Sequence, residues 1–214
     1  MFVPKLYRTP DPSWALALMR GHPLAMLVGN GADGPLVTHL PVIPDETTLA
    51  AGTGETGLVG TTLLGHLNRA NPHWKALAAE DPVTLVFHGP HGYVSPTVYQ
   101  TSPAAPTWNF TALHVHGTVE LITGLDATLW VVRETVRILE RDFGTGWDPT
   151  TSLSYFEQIG PGVGAFRIRV TAAEAMFKLS QEKAPEVRSR VARSFNADPS
   201  GLRRELAETM IRWS

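Results

Sequence analysis

Cysteine is absent from this chain of 214 residues. Disulfides, thiolate zinc sites, iron–sulfur clusters and thiolate haem ligation are therefore excluded, leaving histidine, carboxylate, tyrosine or methionine to hold any metal. No run of about 18 apolar residues occurs, so no transmembrane helix and no membrane partner are expected. The opening stretch MFVPKLYRTPDP lacks both an apolar h-region and a small-residue cleavage site, which points to a cytoplasmic protein. Charge is sparse too: 18 Lys and Arg stand against 20 Asp and Glu, for a net charge of −2. Residues 178–214 carry only a mild basic excess, too weak to argue for a nucleic-acid partner. What the chain does have is 43% apolar residues, enough at this length to bury the core of one domain spanning residues 1–214.

Asp11 followed by Pro12 and an apolar-periodic stretch reads as a helix N-cap with proline in the first turn. HPLAMLVGNGADGPLVTHLPVI reads as two strands around a turn rich in Gly, Asn and Asp. Residues 45–57 read as a flexible loop, LVGTTLLGHLN as a strand, PHWKALAAE as a short helix begun by Asn71 and Pro72, and DPVTLVFHG as another strand. Four prolines in residues 89–110 suggest an irregular connection, and loops of that length are often functional. ALHVHGTVELI alternates, placing His114 and His116 on one face, and GAFRIRV alternates Phe166, Ile168 and Val170 against Arg167 and Arg169. Residues 125–142 predict an amphipathic helix with Leu129, Val132, Val136 and Leu139 inside. SLSYFEQI predicts a short helix, and residues 178–214 a helical C-terminal extension. Six or so short strands with few intervening helices favour an antiparallel barrel or sandwich with peripheral helices.

GHLNRANPHW concentrates polar side chains at the end of an apolar strand. There His66 is either a structural hydrogen bonder or a ligand, and Arg69 either pairs with a carboxylate or offers its donor fork to an anion. Asn71 suits a helix cap. His114 and His116 could chelate a transition metal if a third ligand approached, or be two half-buried polar positions. In KLSQ, Lys178, Ser180 and Gln181 could meet an anionic group, although solvation explains Lys178 equally well. No phosphate-cradling glycine loop and no nucleophile elbow is present.

MFVPKLYR, GHLNRANPHW, GPHGYVSP, PTWNFTALHVHG and FKLSQEK, in order from residue 1 to about 195, resemble the PaiB-like family of FMN-binding negative transcriptional regulators. The resemblance implies a flavin-reductase-like antiparallel split β-barrel that forms a homodimer with cofactor sites at the interface. Two positions depart from the flavin-binding pattern: Val98 stands where an indole is typical, and His73 where a glutamine is. An indole replaced by valine leaves room for something bulkier than an isoalloxazine. HLNRANPHW and MFKLSQEK are most similar to the piperazate synthase subgroup, whose members use haem b to join two nitrogens of N5-hydroxy-L-ornithine, giving L-piperazate and water. That resemblance implies His66 as the axial iron ligand, with His114 and His116 as alternatives. It places Arg69 on the substrate carboxylate or, through a water, behind the departing hydroxyl. Ser95, Thr107, Trp108 and Asn109 would line the cofactor wall, Lys178 and Gln181 would meet the propionates, and residues 97–106 could close over substrate. An FMN-binding flavoprotein, a DNA-associated regulator and a haem-degrading enzyme are the competing classes.

Overall fold

The computed structural model describes residues 1–213. Six strands close into one antiparallel barrel in the order β1-β2-β3-β6-β5-β4. β1 (Leu24–Gly31) and β2 (Gly34–Pro44) form the hairpin expected from the Gly, Asn and Asp-rich turn, with Gly31 opposite Gly34. β3 (Thr62–Asn68) follows, then β4 (Pro82–Val94), β5 (Thr107–Ile122) and β6 (Val163–Lys178). β1 closes the barrel against β4 through Met26, Leu27 and Val28 only. Alternation along the strands sends Leu27, Leu63, Leu85, Phe87, Leu113 and Ile168 inward, all essentially inaccessible.

Helix α1 (Pro12–Gly21) starts as its sequence dictates: the Asp11 carboxylate accepts from the Ser13 amide at 2.8 Å, and Pro12 occupies the first turn. α2 (Pro72–Ala76) is shorter than expected, because the chain turns extended at Leu77 to bury that side chain. The segment 89–110, expected to be irregular, is sheet at both its ends. β4 continues to Val94 through a bulge between His88 and His91, and β5 begins at Thr107, leaving α3 (Pro96–Tyr99) and residues 100–106 as the link. Gly89 makes this possible. A Cβ there would lie 2.3 Å from both Leu18 and the Thr111 hydroxyl.

α4 (Leu125–Phe143) packs on the outer barrel wall, where Val131 and Ile138 meet Ile43, Leu64, Ile122 and Ala165. Its buried stripe is rotated one position from the expected one and includes Thr128 and Thr135. Their hydroxyls donate to the carbonyls of Gly124 and Val131, both at 2.9 Å, which removes the penalty of burying them. α5 (Leu153–Ile159) precedes β6. α6 (Pro185–Asn196) and α7 (Gly201–Trp213) are no loose appendage: Val191, Phe195, Leu206 and Met210 belong to the same apolar cluster as the barrel interior. Among the described residues no helix is long and apolar enough to cross a membrane.

Candidate functional site

The residues singled out in the sequence fall into separate groups, at the two ends of β6 and midway along it. At one end, His66 pairs in register with Ala165, which in turn pairs with Ile122. Strand alternation turns the His66 side chain to the outer wall beside the α4 cluster. It is half-buried, its Nδ1 is buried without a hydrogen-bond partner, and burial holds its pKa below the usual imidazole range. A neutral imidazole is competent to ligate a metal through a ring nitrogen that is open to it, which the enclosed Nδ1 is not. Arg69 follows where β3 ends. Its backbone amide donates to Gly162 O at 2.9 Å and its Nε to Val163 O at 2.8 Å, which fixes the side chain. The guanidinium carbon lies 5.3 Å from the Trp74 ring centroid. Trp74 rests on Gly164, where a Cβ would sit 2.5 Å from the ring. Arg69, Trp74, Lys75 and Leu77 line an open groove with Leu121 and Gly124. Asn71 does cap α2, accepting from the His73 amide at 2.9 Å.

His73, the departure from the family's glutamine, points into the protein. Its Nδ1 lies 3.0 Å from the Thr38 hydroxyl, and its Nε2 is buried close to Gly29 without a hydrogen-bond partner. Val98, the other departure, packs against the main core.

The opposite end of β6 carries the second group. Lys178 donates to the Thr107 hydroxyl at 2.6 Å, and Ser95 caps α3 with its hydroxyl 2.9 Å from that of Thr97. Trp108 is 47% exposed on the outer face, donates from its indole to His91 Nδ1 at 3.2 Å, and stacks on that imidazole. Tyr93 and His88 extend the wall. His88, His91 and Tyr93 went unassigned in the sequence because the Gly89-Pro90 bulge breaks the alternation that would have grouped them. Two expected cofactor-binding residues, one from the wall and one for the propionates, are engaged elsewhere. Asn109 is fully buried, bonded to Ser180 across the core, so it cannot line an open surface. The Gln181 amide accepts from the Leu179 amide at 2.7 Å and donates to Phe177 O, so both its ends are occupied by backbone.

His114 and His116 share the outer face of β5, as alternation requires, opposite Glu174 and Ala172 of β6. Both nitrogens of His116 are engaged, Nδ1 with Thr84 at 2.9 Å and Nε2 with Glu174 at 3.3 Å, which disfavours it as a ligand. His114 is half-buried, and burial first, then the nearby chain terminus and His116, lower its pKa. Among the described residues no three His, Cys, Asp or Glu side chains gather as a metal cage. Twelve residues of β6 separate Ala165 from Lys178, roughly 40 Å of strand contour, so the His66 and Lys178 groups do not meet within one barrel.

The family described as "Putative FMN-binding domain" matches residues 1–172. A Bacillus subtilis relative named "Protease synthase and sporulation protein PAI 2" is 26% identical over 212 residues, covering 98% of this chain and 96% of its own. The flavocytochrome Anf3 from Azotobacter vinelandii superposes with a TM-score of 0.56 at 17% identity, covering 91% of this chain and 76% of its own. The FAD and haem binding protein from Mycobacterium smegmatis gives 0.55 at 16% identity, covering 85% and 78%. At such identities the structural likeness is one of fold, a flavin-reductase-like split barrel.

Proposed function

The chain belongs to the PaiB-like, FMN-binding-domain family, and from that premise we propose that it is a haem-dependent piperazate synthase closing the N–N bond of L-piperazate from N5-hydroxy-L-ornithine. The observation that carries this reading is His66: a half-buried imidazole, kept neutral by its surroundings, with a fixed guanidinium three residues on. This donor set would suit haem b held through the His66 imidazole. When bound, the haem iron would supply a Lewis acid that makes N5 electrophilic toward the substrate's own α-amine. The α-amine nitrogen would bond to N5 as the N5–O bond breaks, an amine proton and the hydroxide leaving together as water, with no net oxidation.

The chain's own residues would then bind and orient. Arg69, held by two backbone bonds and resting on Trp74, presents its terminal N–H groups to the substrate carboxylate in a bidentate pair. Fixing that end would favour folding of the four-carbon chain into the six-membered ring. Arg69 holds its proton too tightly to donate directly, so its part in hydroxyl departure is to orient a water.

The Lys178 group reaches the His66 group through dimerisation. A second copy would cover the outer face where Leu24, Val37, Trp108 and Tyr93 are 62%, 54%, 47% and 46% exposed, and each cofactor would be held by His66 of one subunit and by the Trp108 rings and Lys178 ammonium of the other. FMN is the second reading, because the Trp108, His91 and Tyr93 rings beside Lys178 suit an isoalloxazine and its phosphate equally well. The absorption spectrum of the purified protein separates the two, a single intense Soret band against two broad flavin bands. Adding N5-hydroxy-L-ornithine and detecting the cyclic product by mass tests the reaction. A yellow protein, or haem-loaded protein that forms no cyclic product, overturns the proposal.

A further inference from the structure

Helix α2 is too short to hold itself, and the side chain it buries is His73. It packs on β1 and β2, where the imidazole closes one end of the barrel at 1% exposure. Thr38 pairs with the inward Leu27, and Gly29 stands two residues on from Leu27, so both present themselves to the ring from the inner face. Its space exists because residue 29 is glycine: a Cβ there would lie 2.7 Å from Nε2. Nδ1 lies 3.0 Å from the Thr38 hydroxyl, which also accepts from Asn71 Nδ2 at 3.4 Å. The neutral ring suits this socket when Nδ1–H donates to Thr38 and Nε2 keeps a bare lone pair against Gly29.

The imidazolium does not suit it. Nε2 would then carry a hydrogen too, and that nitrogen is enclosed with no acceptor. No carboxylate answers the charge either. β1 carries no titratable side chain, β2 carries only His39, which is exposed on the opposite face, and α2 adds Lys75, a like charge. Burial by itself holds the His73 pKa below the usual imidazole range. We propose that His73 is an acid-labile latch: a proton taken up by its ring frees α2 from the barrel end and opens the groove that Arg69 and Trp74 line. Trp74 follows His73 directly, with its ring on Gly164 and 5.3 Å from the Arg69 guanidinium, so releasing His73 moves the platform under Arg69. The Leu77 amide, which donates to His73 O at 3.1 Å, opens with it. The latch acts on the groove itself, whatever ligand fills it.

The freed ring titrates at about pH 6.5 and the enclosed one lower, so closure is at full strength above that pH and weakens as pH falls through it. One unit below, the opening constant should have risen about tenfold. Amide hydrogen exchange of the full chain at pH 7.5 and 5.5, corrected at each pH for the rate of a free amide, measures this at Leu77. Protection there should fall about tenfold more in the parent than in H73Q, whose side chain does not titrate. NMR of the imidazole nitrogens gives a second measurement on the parent alone, with the His73 ring expected to stay neutral down to about pH 6. The proposal is overturned if Leu77 is protected equally at both pH values, or if H73Q loses protection as steeply as the parent. A His73 ring that titrates near pH 6.5 in the folded protein also overturns it, and that result stands even if H73Q misfolds.

Discussion

Replacing His66 with leucine should stabilise the cofactor-free protein while destroying its cofactor chemistry. The imidazole is a poor tenant of its place: Nδ1 is buried with no partner beside the Leu64, Ala165 and Ile122 cluster, and burial depresses its pKa. An unmet buried polar atom costs about 1–3 kcal/mol. Leucine has nearly the same volume, and such swaps usually cost less than about 1.5 kcal/mol in packing. The balance is a gain of about 1 kcal/mol, or roughly 2–4 °C in Tm for a chain of this size. The pH dependence reinforces it. Because the folded pKa is depressed, the unfolded chain takes up protons first as pH falls from about 6.5, so His66 withdraws stability in that window and a leucine in its place would not. Thermal melts of protein prepared without added haem, at pH 7.5 and 5.5, measure both effects, and a haem titration followed at the Soret band measures the loss of ligation. A cofactor-free H66L variant less stable than its parent by more than about 1 kcal/mol would show that His66 is a structural residue with partners. An unchanged haem spectrum would remove it from the iron.

Gly164→Ala forces a methyl to within 2.5 Å of the Trp74 ring, so the denaturation midpoint should fall by the equivalent of about 1–3 kcal/mol and KM should rise as the platform under Arg69 shifts. Unchanged stability would mean that Trp74 is free to move aside. Trp108→Glu places a charge on the exposed outer face; sedimentation should show the dimer dissociating and cofactor uptake falling with it, and a dimer that persists places the interface elsewhere. Burial lowers the pKa of His88 and His114 as well as His66, so stability should decline as pH drops below about 6.5; a flat profile in urea melts between pH 7.5 and 5.5 would refute it.

Alternation and capping carried most of the fold. The hairpin of β1 and β2, the inward faces of β5 and β6, and the start of α1 follow from residue pattern alone, because period-2 burial and an Asp-Pro cap are local physics. Where the pattern misled, a non-local contact was responsible. Gly89 yields to Leu18 and Thr111, so β4 survives two consecutive strand breakers, and the threonines of α4 hide their hydroxyls on the helix backbone and so occupy its buried stripe. The candidate site divides the same way. Sequence determined which side chains carry chemistry, His66 and Arg69 at one strand end, Trp108 and Lys178 at another, since spacing and side-chain type are written in the chain. Only the barrel decided that these groups lie at opposite ends of β6, that Asn109, Gln181 and His116 are already engaged, and that the Nε2 of His73 is buried without a partner. Each of those depends on strands distant in sequence being brought into register, which no local run of residues encodes.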